Sequence, residues 1–427
     1  MGMTDYADSW YEHSIRVELQ PTPRLESEHR TDVCVIGGGV TGCSTALHLA
    51  RRGYRVKLLE AKRIAWGASG RAGGHVLPGL GTGMDTVAKG LGKGDAQSIW
   101  DMSREAVQLV DDLVSEYSIP CDLRWGYVHT AIKPRHMKMY RDWVDQMASE
   151  YGYHDMELLD REAVRARVST DYYIGGIHEN GAGRLHPMNY TLGLARAAQS
   201  HGAELHEDSA VTRIESGDPA RVHTEHGQVE ADFVVLACNA YLDELDRSLR
   251  SKIMPVGNYV IATEPLDEHR VQQSLPTDEA VSDANFVLDY YHLSADRRLL
   301  YGGQVSYNGR EPRNLRQRME AKMTRIFPAL AGVRVEYIWG GWVGITLNRS
   351  PHFGRVGGNV YFAHGYSGQG MAMGGMAGKL MAEAIGGQAE RFDVFARMPH
   401  RDFPGGRHLR TPLLVLATNF YRLRDLI

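Results

Sequence analysis

Cysteine is scarce in this sequence, and long apolar runs are missing from it. Only four of the 427 residues are cysteines, and their positions do not form a metal-binding spacing. They are Cys34, Cys43, Cys121 and Cys238. Free cysteines scattered through apolar stretches behave as small buried hydrophobic residues. This usage indicates a reducing compartment, and we predict no metal site.

The chain also lacks an excess of charge of one sign. Its formal net charge is −4, and acidic and basic residues are interspersed, so no nucleic-acid partner is predicted. The most apolar run, residues 413–417 (LLVLA), is far too short to span a bilayer. The first twenty residues carry acids and no apolar core, unlike a signal or transit peptide. We therefore expect a cytoplasmic protein without a membrane partner.

Glycine, in contrast, is concentrated at a strand-to-helix turn. Residues 32–36 read as a short buried strand, Gly37, Gly39 and Gly42 follow, and helical spacing begins at residue 43. Such a turn brings backbone N–H groups and the positive end of a helix towards a pyrophosphate. A second strand ends at Glu60, where an acid binds a ribose hydroxyl and repels a 2′-phosphate. The pattern predicts a dinucleotide site that disfavours NADP.

Two further glycine-rich stretches exceed what a simple dehydrogenase needs. Residues 67–83 suggest backbone lying flat against a bulky planar or anionic group. Residues 365–370 (GYSGQG) follow a strand and open another helix. Between these stretches, residues 95–118 and 135–151 have the periodicity of amphipathic helices, and residues 253–305 alternate like antiparallel strands.

The motifs together resemble the D-amino acid oxidase type of FAD-dependent oxidoreductase and, within it, the γ-glutamylputrescine oxidase group. The resemblance covers nearly the whole chain and rests on VIGGGVTG with Glu60, WGASGRAGG at 66–74, RLHPMNYTLGLA at 184–195, VVLACNAY at 234–241 and AHGYSGQGMAMGG at 363–375. It implies an α/β fold: a Rossmann-like FAD-binding domain of the glutathione reductase type, with an inserted α+β substrate domain built on an antiparallel sheet. The expected division is a leader at 1–30, a discontinuous FAD-binding domain at 31–90, 154–250 and 335–390, a substrate domain at 91–153 and 251–334, and a tail at 391–427 packed on the FAD domain.

The resemblance also implies a set of residues that bind FAD. The first turn would hold the pyrophosphate, Glu60 the adenosine ribose, and Ser69 to Gly74 the flavin edge. The helix opened by GYSGQG would point its N-terminus at the flavin and stabilise the negative charge of its reduced form. The predicted cofactor-binding residues are Gly37, Gly39, Val40, Thr41, Gly42, Glu60, Ala61, Ser69, Arg71, Ala72, Gly73, Gly74, Val211, Cys238, Asn239, Gly341, Gly365, Tyr366, Ser367, Gly368, Gln369 and Gly370.

The predicted substrate is a small amine, oxidised by hydride transfer to the flavin, with O₂ as the acceptor. Such chemistry needs a pocket that holds the amine deprotonated, which an apolar or aromatic wall provides. The residues predicted to line it are His75, Trp342, Tyr366 and Tyr291, with Tyr290 weighed beside them. No cysteine lies where sarcosine oxidases attach FAD, so we predict noncovalent FAD, with His75 as the other attachment candidate.

One departure from the sarcosine oxidases bears on the substrate. Where those enzymes carry a lysine that binds the substrate carboxylate, this chain has Ala372. The resemblance therefore favours a substrate whose charge is remote from the oxidised carbon, as in γ-glutamylputrescine. Three alternatives stay open: oxidation of a secondary amine or amino acid, electron transfer to a quinone or carrier protein, and an FAD-fold binding protein without turnover. Asn348 and Arg349 either contact FAD or close a turn, and the oligomeric state is left open.

Overall fold

Two β-sheets with helices packed against them organise the chain. The computed structural model describes residues 6–307 and 311–404. Its strands are β1 (Ser27–Ile36), β2 (Val56–Leu59), β3 (His75–Val76), β4 (Arg124–Ala131), β5 (Met156–Leu159), β6 (Gly175–Arg184), β7 (Glu204–His206), β8 (Val211–Glu215), β9 (Ala220–Thr224), β10 (Gly227–Leu236), β11 (Met254–Thr263), β12 (Ala280–Asp283), β13 (Tyr290–Leu293), β14 (Leu299–Ser306), β15 (Val335–Ile345), β16 (His352–Val356) and β17 (Val360–His364).

The helices connect and cover these strands. They are α1 (Trp10–His13), α2 (Val40–Ala50), α3 (Met84–Leu91), α4 (Lys93–Glu116), α5 (Pro134–Tyr151), α6 (Arg161–Arg167), α7 (Pro187–Ser200), α8 (Arg247–Arg250), α9 (Glu268–Gln272), α10 (Leu315–Ile326), α11 (Gly370–Ile385) and α12 (Glu390–Ala396). Within the described ranges, none of them combines the length and apolarity that a bilayer span requires.

The first sheet has the order β16-β17-β10-β1-β2-β7, and β8 and β9 extend β10. Its centre is parallel, because β1 pairs with both β2 and β10 in that sense. Residues 33–36 and 56–59 are buried, as expected for parallel strands covered on both faces. Helix α2 starts at the first glycine turn (residues 37–42), and α11 starts at the second glycine turn (residues 365–370). Both helices pack on this sheet together with α7. Both turns therefore open at one end of the same sheet.

Close packing of α2 on α11 depends on small residues. A Cβ added at Gly378 of α11 would lie 2.6 Å from the backbone nitrogen of Thr45 and 2.7 Å from Cβ of Ser44. The Ser44 hydroxyl also donates to the Gly375 carbonyl at 2.7 Å. The second glycine-opened helix is thereby fixed against the first, which sets the relation between the two turns.

The second sheet has the order β15-β11-β14-β13-β12-β4-β6-β3, with β5 paired to β6. Its pairs are antiparallel except for β12 with β4. One face packs on α10 around a separate apolar core that includes Tyr291, Tyr301 and Phe327. The predicted α/β fold with a second, sheet-based domain is confirmed.

The strand pairing differs from the predicted division of the chain in three places. Residues 75–76 (β3), 156–159 with 175–184 (β5 and β6) and 335–345 (β15) belong to the second sheet, whereas 31–90, 154–250 and 335–390 were expected in the FAD-binding domain. The reason is that the chain crosses between the sheets several times. Alternation identifies a strand but does not reveal which sheet it joins.

The N-terminal segment is more than the extended leader predicted at 1–30. Its described part contains α1, capped by the Ser9 hydroxyl, and the side chains of Trp10 and Tyr11 are buried. Strand β1 already begins at Ser27. At the other end, Phe392 and Phe395 of α12 pack on Phe353 of β16. The rest of the predicted tail, residues 405–427, lies outside the described residues.

Candidate functional site

The first glycine turn has the close approaches that the sequence predicts. Gly37 has φ +109°, and a Cβ there would lie 2.8 Å from the Ala237 carbonyl oxygen. A Cβ at Gly42 would overlap the carbonyl oxygen of Gly37. Gly39 is the N-cap of α2 and offers no side chain to its N–H groups. The backbone is thus closely packed behind the turn, with the helix N-terminus left for an anion.

Glu60 closes the turn from the neighbouring strand. One carboxylate oxygen accepts the N–H of Gly38 at 2.7 Å, and the other accepts the N–H of Lys62 at 2.9 Å. Burial raises the pKa of Glu60, and these backbone donors oppose that shift. Ala61 is exposed beside it. The acid therefore lies at the carboxyl end of β2, next to the turn, where a ribose of a dinucleotide would lie.

The glycine segment, residues 69–74, runs from the first turn to the second sheet. Ser69 Oγ accepts the N–H of Val40 at 3.0 Å and lies 2.8 Å from the position of a Cβ on Gly39. Gly74 has φ +72°, and Ala72 is half-buried between it and Arg71. The segment is therefore held to the first turn at one end and enters β3 at the other.

Arg71 joins this segment to β15. Its Nε donates to the Trp66 carbonyl at 2.8 Å, and its Nη1 donates to the Gly340 carbonyl at 3.1 Å. Burial lowers the pKa of Arg71, and its guanidinium carbon lies 4.4 Å from the Trp66 ring centre. A Cβ on Gly341 would be 3.2 Å from the Arg71 side chain. Gly341 is thus close to Arg71, and its role in binding the cofactor stays a prediction.

The second glycine turn is tied to both sheets. The N–H of Gly365 donates to Asn239 Oδ1 at 2.9 Å, and the N–H of Ser367 donates to the Gly344 carbonyl at 3.0 Å. Gly368 has φ +110° with open space where its Cβ would be, and Gln369, the N-cap of α11, makes no capping bond. The turn is anchored on its flanks and open at the helix N-terminus.

Cys238 and Asn239 connect the two turns, while Val211 lies farther out. The backbone nitrogen of Cys238 is 3.3 Å from the position of a Cβ on Gly37, and Asn239 Oδ1 accepts the N–H of Gly365. Burial raises the pKa of Cys238 to about 12, so the thiol stays protonated. Val211 begins β8 and packs with Cys238 on the apolar core of the first sheet.

His75 lies beside the end of the glycine segment in a buried polar cluster. Its Nδ1 is 2.8 Å from the Tyr127 hydroxyl, and its ring centre is 5.2 Å from that of Tyr290. Burial, followed by the charges of Arg184 and His129, lowers the pKa of His75 to about 3, so the ring is neutral at pH 7. Its Nε2 is buried and has no partner in the described part of the chain. A buried nitrogen in this state is available to a ligand.

Of two adjacent tyrosines, the structure places Tyr290 rather than the predicted Tyr291 at this cluster. Successive side chains of a strand point to opposite faces. A Cβ added to Gly73 would overlap the Tyr290 ring, so this ring packs directly on the glycine segment. Tyr291 instead hydrogen-bonds to Tyr173 at 2.8 Å and stacks on Tyr301 in the core under α10. The prediction of Tyr291 as a pocket residue is therefore corrected.

Alternation also separates Trp339 from Trp342, whose predicted contact with substrate stays a prediction. Trp339 and Gly341 share the face of β15 that contacts Arg71, and the Trp339 indole donates to the Arg71 carbonyl at 3.0 Å. Gly340, one position away, faces the Tyr259 ring on the opposite side. Trp342 lies on that opposite face because the pairing with β11 is regular here. Trp339 is the tryptophan adjacent to the glycine segment.

Tyr366 belongs to the link between the two turns. Its hydroxyl is 2.8 Å from Oγ1 of Thr41, the second residue of α2, and its side chain is buried. Burial raises the pKa of the phenol, so it stays protonated. The hydroxyl predicted to face substrate is thus bonded within the turn region.

Tyr11 adjoins the candidate site, although no sequence signal predicts it there. Its ring lies 5.2 Å from Trp339 and 4.9 Å from His186, and its hydroxyl is buried without a partner in the described residues. Burial, followed by Tyr290, raises the pKa of Tyr11. A polar leader segment offers no periodicity that would predict this contact. Trp339, in contrast, could have been found by choosing the other face of the WGGW strand.

The remaining residues singled out in the sequence have structural partners. Lys379 donates to Glu105 at 2.6 Å and so ties α11 to α4. Asn348 closes its turn, since its Oδ1 accepts the N–H of Ser350 at 3.1 Å. Ala372 is buried in the first turn of α11. In the described ranges, three potential metal ligands cluster at Asp8, Glu12 and His13, where the acids are not fully buried and need no ion.

Comparison with known proteins identifies the family. The family model described as "DAO: FAD dependent oxidoreductase" matches residues 32–384. The chain belongs to this family and is an FAD-dependent oxidoreductase, as predicted.

Two curated relatives match this chain over almost its whole length. It is 40% identical over 424 residues to "Gamma-glutamylputrescine oxidoreductase" of Escherichia coli (strain K12), covering 99% of both chains. It is 37% identical to "Probable oxidoreductase OrdL" of Haemophilus influenzae, covering 99% of this chain and 98% of that one. Among solved structures, glycine oxidase from Bacillus cereus superposes with a TM-score of 0.72 at 22% identity, covering 87% of this chain and 99% of that one. This last likeness supports the fold alone.

The described residues fit FAD. Gly39, the N-cap of α2, supplies no side-chain cap, Ser69 Oγ accepts the N–H of Val40, and Glu60 lies next to the turn. At the second turn, nothing lies within 4 Å of a Cβ on Gly368, and Gln369 Oε1 is buried with no partner in the described chain. Two helix N-termini whose own N-cap residues make no capping bond, together with the glycine-rich residues 69–74, match an anionic dinucleotide with a flavin at its other end.

Proposed function

We propose that this protein is an FAD-dependent oxidase of γ-glutamylputrescine or a closely similar amine, forming an aldehyde, ammonia and H₂O₂. The observation that carries the proposal is the 40% identity, over 99% of both chains, with the E. coli γ-glutamylputrescine oxidoreductase. The site is compatible with this substrate class, because two helix N-termini and a buried neutral cluster adjoin one glycine-lined segment.

In this proposal the first turn with Glu60 binds the adenosine diphosphate part of FAD. Ser69 to Gly74 would hold the flavin, and the N-terminus of α11 would provide positive potential to it. FAD, when bound, accepts a hydride from the amine-bearing carbon of the substrate. Because a helix N-terminus favours negative charge, α11 stabilises the cofactor after that transfer.

The residues around His75 would keep the substrate amine neutral. The imidazole is uncharged, and burial raises the pKa of the Tyr290 phenol, so neither group offers an anion to an ammonium ion. Arg184 lies near enough to lower the pKa of His75, and its positive charge disfavours a second cation for the same reason. Nε2 of His75 then supplies one hydrogen bond that orients the neutral amine.

Three finer points accompany the proposal. FAD is held noncovalently, which agrees with two thiols that stay protonated: burial raises the pKa of Cys238 and that of Cys43, whose Sγ donates to the Gly38 carbonyl in the first turn. O₂ is the electron acceptor. The protein works in the cytoplasm, which the four free cysteines favour.

The visible spectrum of the purified holoenzyme under argon tests the proposal. γ-Glutamylputrescine should bleach the flavin, and readmitted air should restore it with release of H₂O₂. Putrescine, sarcosine and D- and L-amino acids serve as parallel additions. Bleaching by an amino acid alone would replace the proposed substrate, slow recovery in air would replace O₂ as acceptor, and no bleaching at all would support a binding protein. Acid precipitation that left yellow protein would contradict noncovalent FAD.

A further inference from the structure

The turn between β15 and β16 places Arg349 beside the second glycine turn. Arg349 has φ +60°, and its N–H donates to the Thr346 carbonyl at 3.1 Å. A Cβ built on Gly81 would lie 3.0 Å from the carbonyl oxygens of both Arg349 and Ser367. These two backbones are therefore neighbours across Gly81. The backbone of Arg349 is therefore held in place at the edge of the candidate site.

The guanidinium of Arg349 has no acidic partner in the part of the chain that the structure describes. Among the described residues, its side chain forms no ion pair and no hydrogen bond. Its carbon lies 4.8 Å from the centre of the Phe286 ring. A cation stacked on a ring face keeps its N–H groups directed outward in the guanidinium plane. Arg71, the other arginine of the site, differs because two carbonyls bind its N–H groups.

Phe286 belongs to a loop that also carries a wall of the site. This loop, residues 284–289, joins β12 to β13, whose first residue is Tyr290 against Gly73. Its start is fixed, because Asp283 accepts the N–H of Asn285 at 3.0 Å and its side-chain amide at 2.7 Å. The ring under Arg349 and the phenol beside His75 are thus held by one short loop. Arg349 lies at the rim of the candidate site.

We propose that Arg349 binds the α-carboxylate at the glutamyl end of the substrate. This inference rests on the proposed function, since it names the group that recognises the remote charge of γ-glutamylputrescine. A planar guanidinium pairs with a carboxylate through two parallel hydrogen bonds. The first turn of α11 provides no cation, because Ala372 lies there, and Lys379 is paired with Glu105. Arg349 is a specificity residue that touches substrate far from the oxidised carbon.

Steady-state kinetics with two amides test this role. One is γ-glutamylputrescine, and the other is 4-aminobutanoylputrescine, which lacks only the α-carboxylate. We expect Arg349→Met to raise KM for the first by about 10- to 100-fold, the range of a charge-assisted pair, with kcat changed by less than about twofold. KM for the second amide should stay unchanged, and Arg349→Lys should recover part of the loss. Arg318→Met, which removes an exposed arginine of α10, is the matched control.

A binding measurement separates this inference from the proposed function. γ-Glutamylbutylamide keeps the carboxylate but lacks the terminal amine of the putrescine part, where oxidation is proposed, so its Kd can be read from the perturbed flavin spectrum. A Kd that rises at least tenfold in Arg349→Met supports the inference even if no amide is turned over, an outcome that would contradict only the proposed function. Equal effects of the substitution on both amides, or an unchanged Kd, would overturn the role of Arg349.

Discussion

The two glycine turns begin neighbouring helices on one sheet, yet they are held in different ways. The first is closed by groups within forty residues of chain: Glu60 accepts the N–H of Gly38, and Ser69 accepts that of Val40. The second is held by distant segments, since Asn239 accepts the N–H of Gly365 and the Gly344 carbonyl accepts that of Ser367. The first turn is a local supersecondary unit, and the second is assembled by the tertiary fold.

This difference indicates what each turn depends on. A local βαβ unit needs only its own strand, helix and acid, so its geometry follows from spacing. The second turn depends on the junction of both sheets, because Gly344 is in β15 and Asn239 follows β10. We expect substitutions in the first turn to act on folding as a whole, and substitutions in the second to act first on flavin binding.

The largest expected effect is that of Gly42→Ala. The added Cβ overlaps the Gly37 carbonyl oxygen, so α2 must move away from β1. We expect a loss of about 3 kcal/mol or more in the free energy of unfolding, measured by urea denaturation, together with low soluble yield. Gly94→Ala in α4 is the control, because its Cβ meets nothing within 4 Å. A well-folded Gly42→Ala protein with full flavin content would contradict the close packing of this turn.

Gly365→Ala should cost less and act on the second turn. The backbone there has φ +76°, and the new Cβ would overlap Cγ2 of Thr346. We expect a loss of about 2 kcal/mol, with flavin content falling before the apoprotein unfolds.

The double variant Gly365→Ala/Thr346→Ser provides a sharper test. It removes the overlapping methyl group and keeps the hydroxyl that donates to the Ser350 carbonyl at 2.7 Å. Part of the stability and of the flavin content should return, while the strain from positive φ persists. No rescue would mean that the backbone conformation alone decides the cost.

The same contrast explains how much could be predicted from sequence. The first turn, Glu60 and the α/β fold follow from local spacing. The family resemblance added the second turn. Tyr291 was wrong because a strand with aromatic residues on both faces does not show which face meets the site, and Tyr290 lies beside His75 instead. On β15, Trp339 is the tryptophan that contacts Arg71, and Trp342 stays a prediction. Tyr11 could not be predicted, since its contacts with Trp339 and His186 depend on long-range packing.

A smaller effect is expected from the hydroxyl pair that joins the two turns. Thr41 Oγ1 and the Tyr366 hydroxyl lie 2.8 Å apart and are buried. We expect Thr41→Val and Tyr366→Phe each to reduce the free energy of unfolding by about 1 kcal/mol. The double variant should lose less than the sum of the two, because both substitutions remove one hydrogen bond. Additive losses in this double-mutant cycle would show that the turns are not coupled through this pair.

The smallest effect is a pH dependence that only the first turn should show, since it alone contains a buried acid. Burial raises the pKa of Glu60 in the folded apoprotein above its unfolded value of about 4.3. The folded state then binds the proton more tightly, so the free energy of unfolding falls as pH rises through and above that value. Glu60→Gln removes this titrating group and should flatten the pH dependence of the free energy of unfolding, measured by urea titrations of the apoprotein between about pH 4.5 and 8.

The stability of Glu60→Gln at a single pH is less informative, because the amide nitrogen would face one of the two backbone N–H groups that the carboxylate accepts. Glu157→Gln on β5 controls for the loss of an exposed negative charge. If Glu60→Gln kept the wild-type slope, the acid would titrate alike in both states, and its two backbone donors would fully offset its burial.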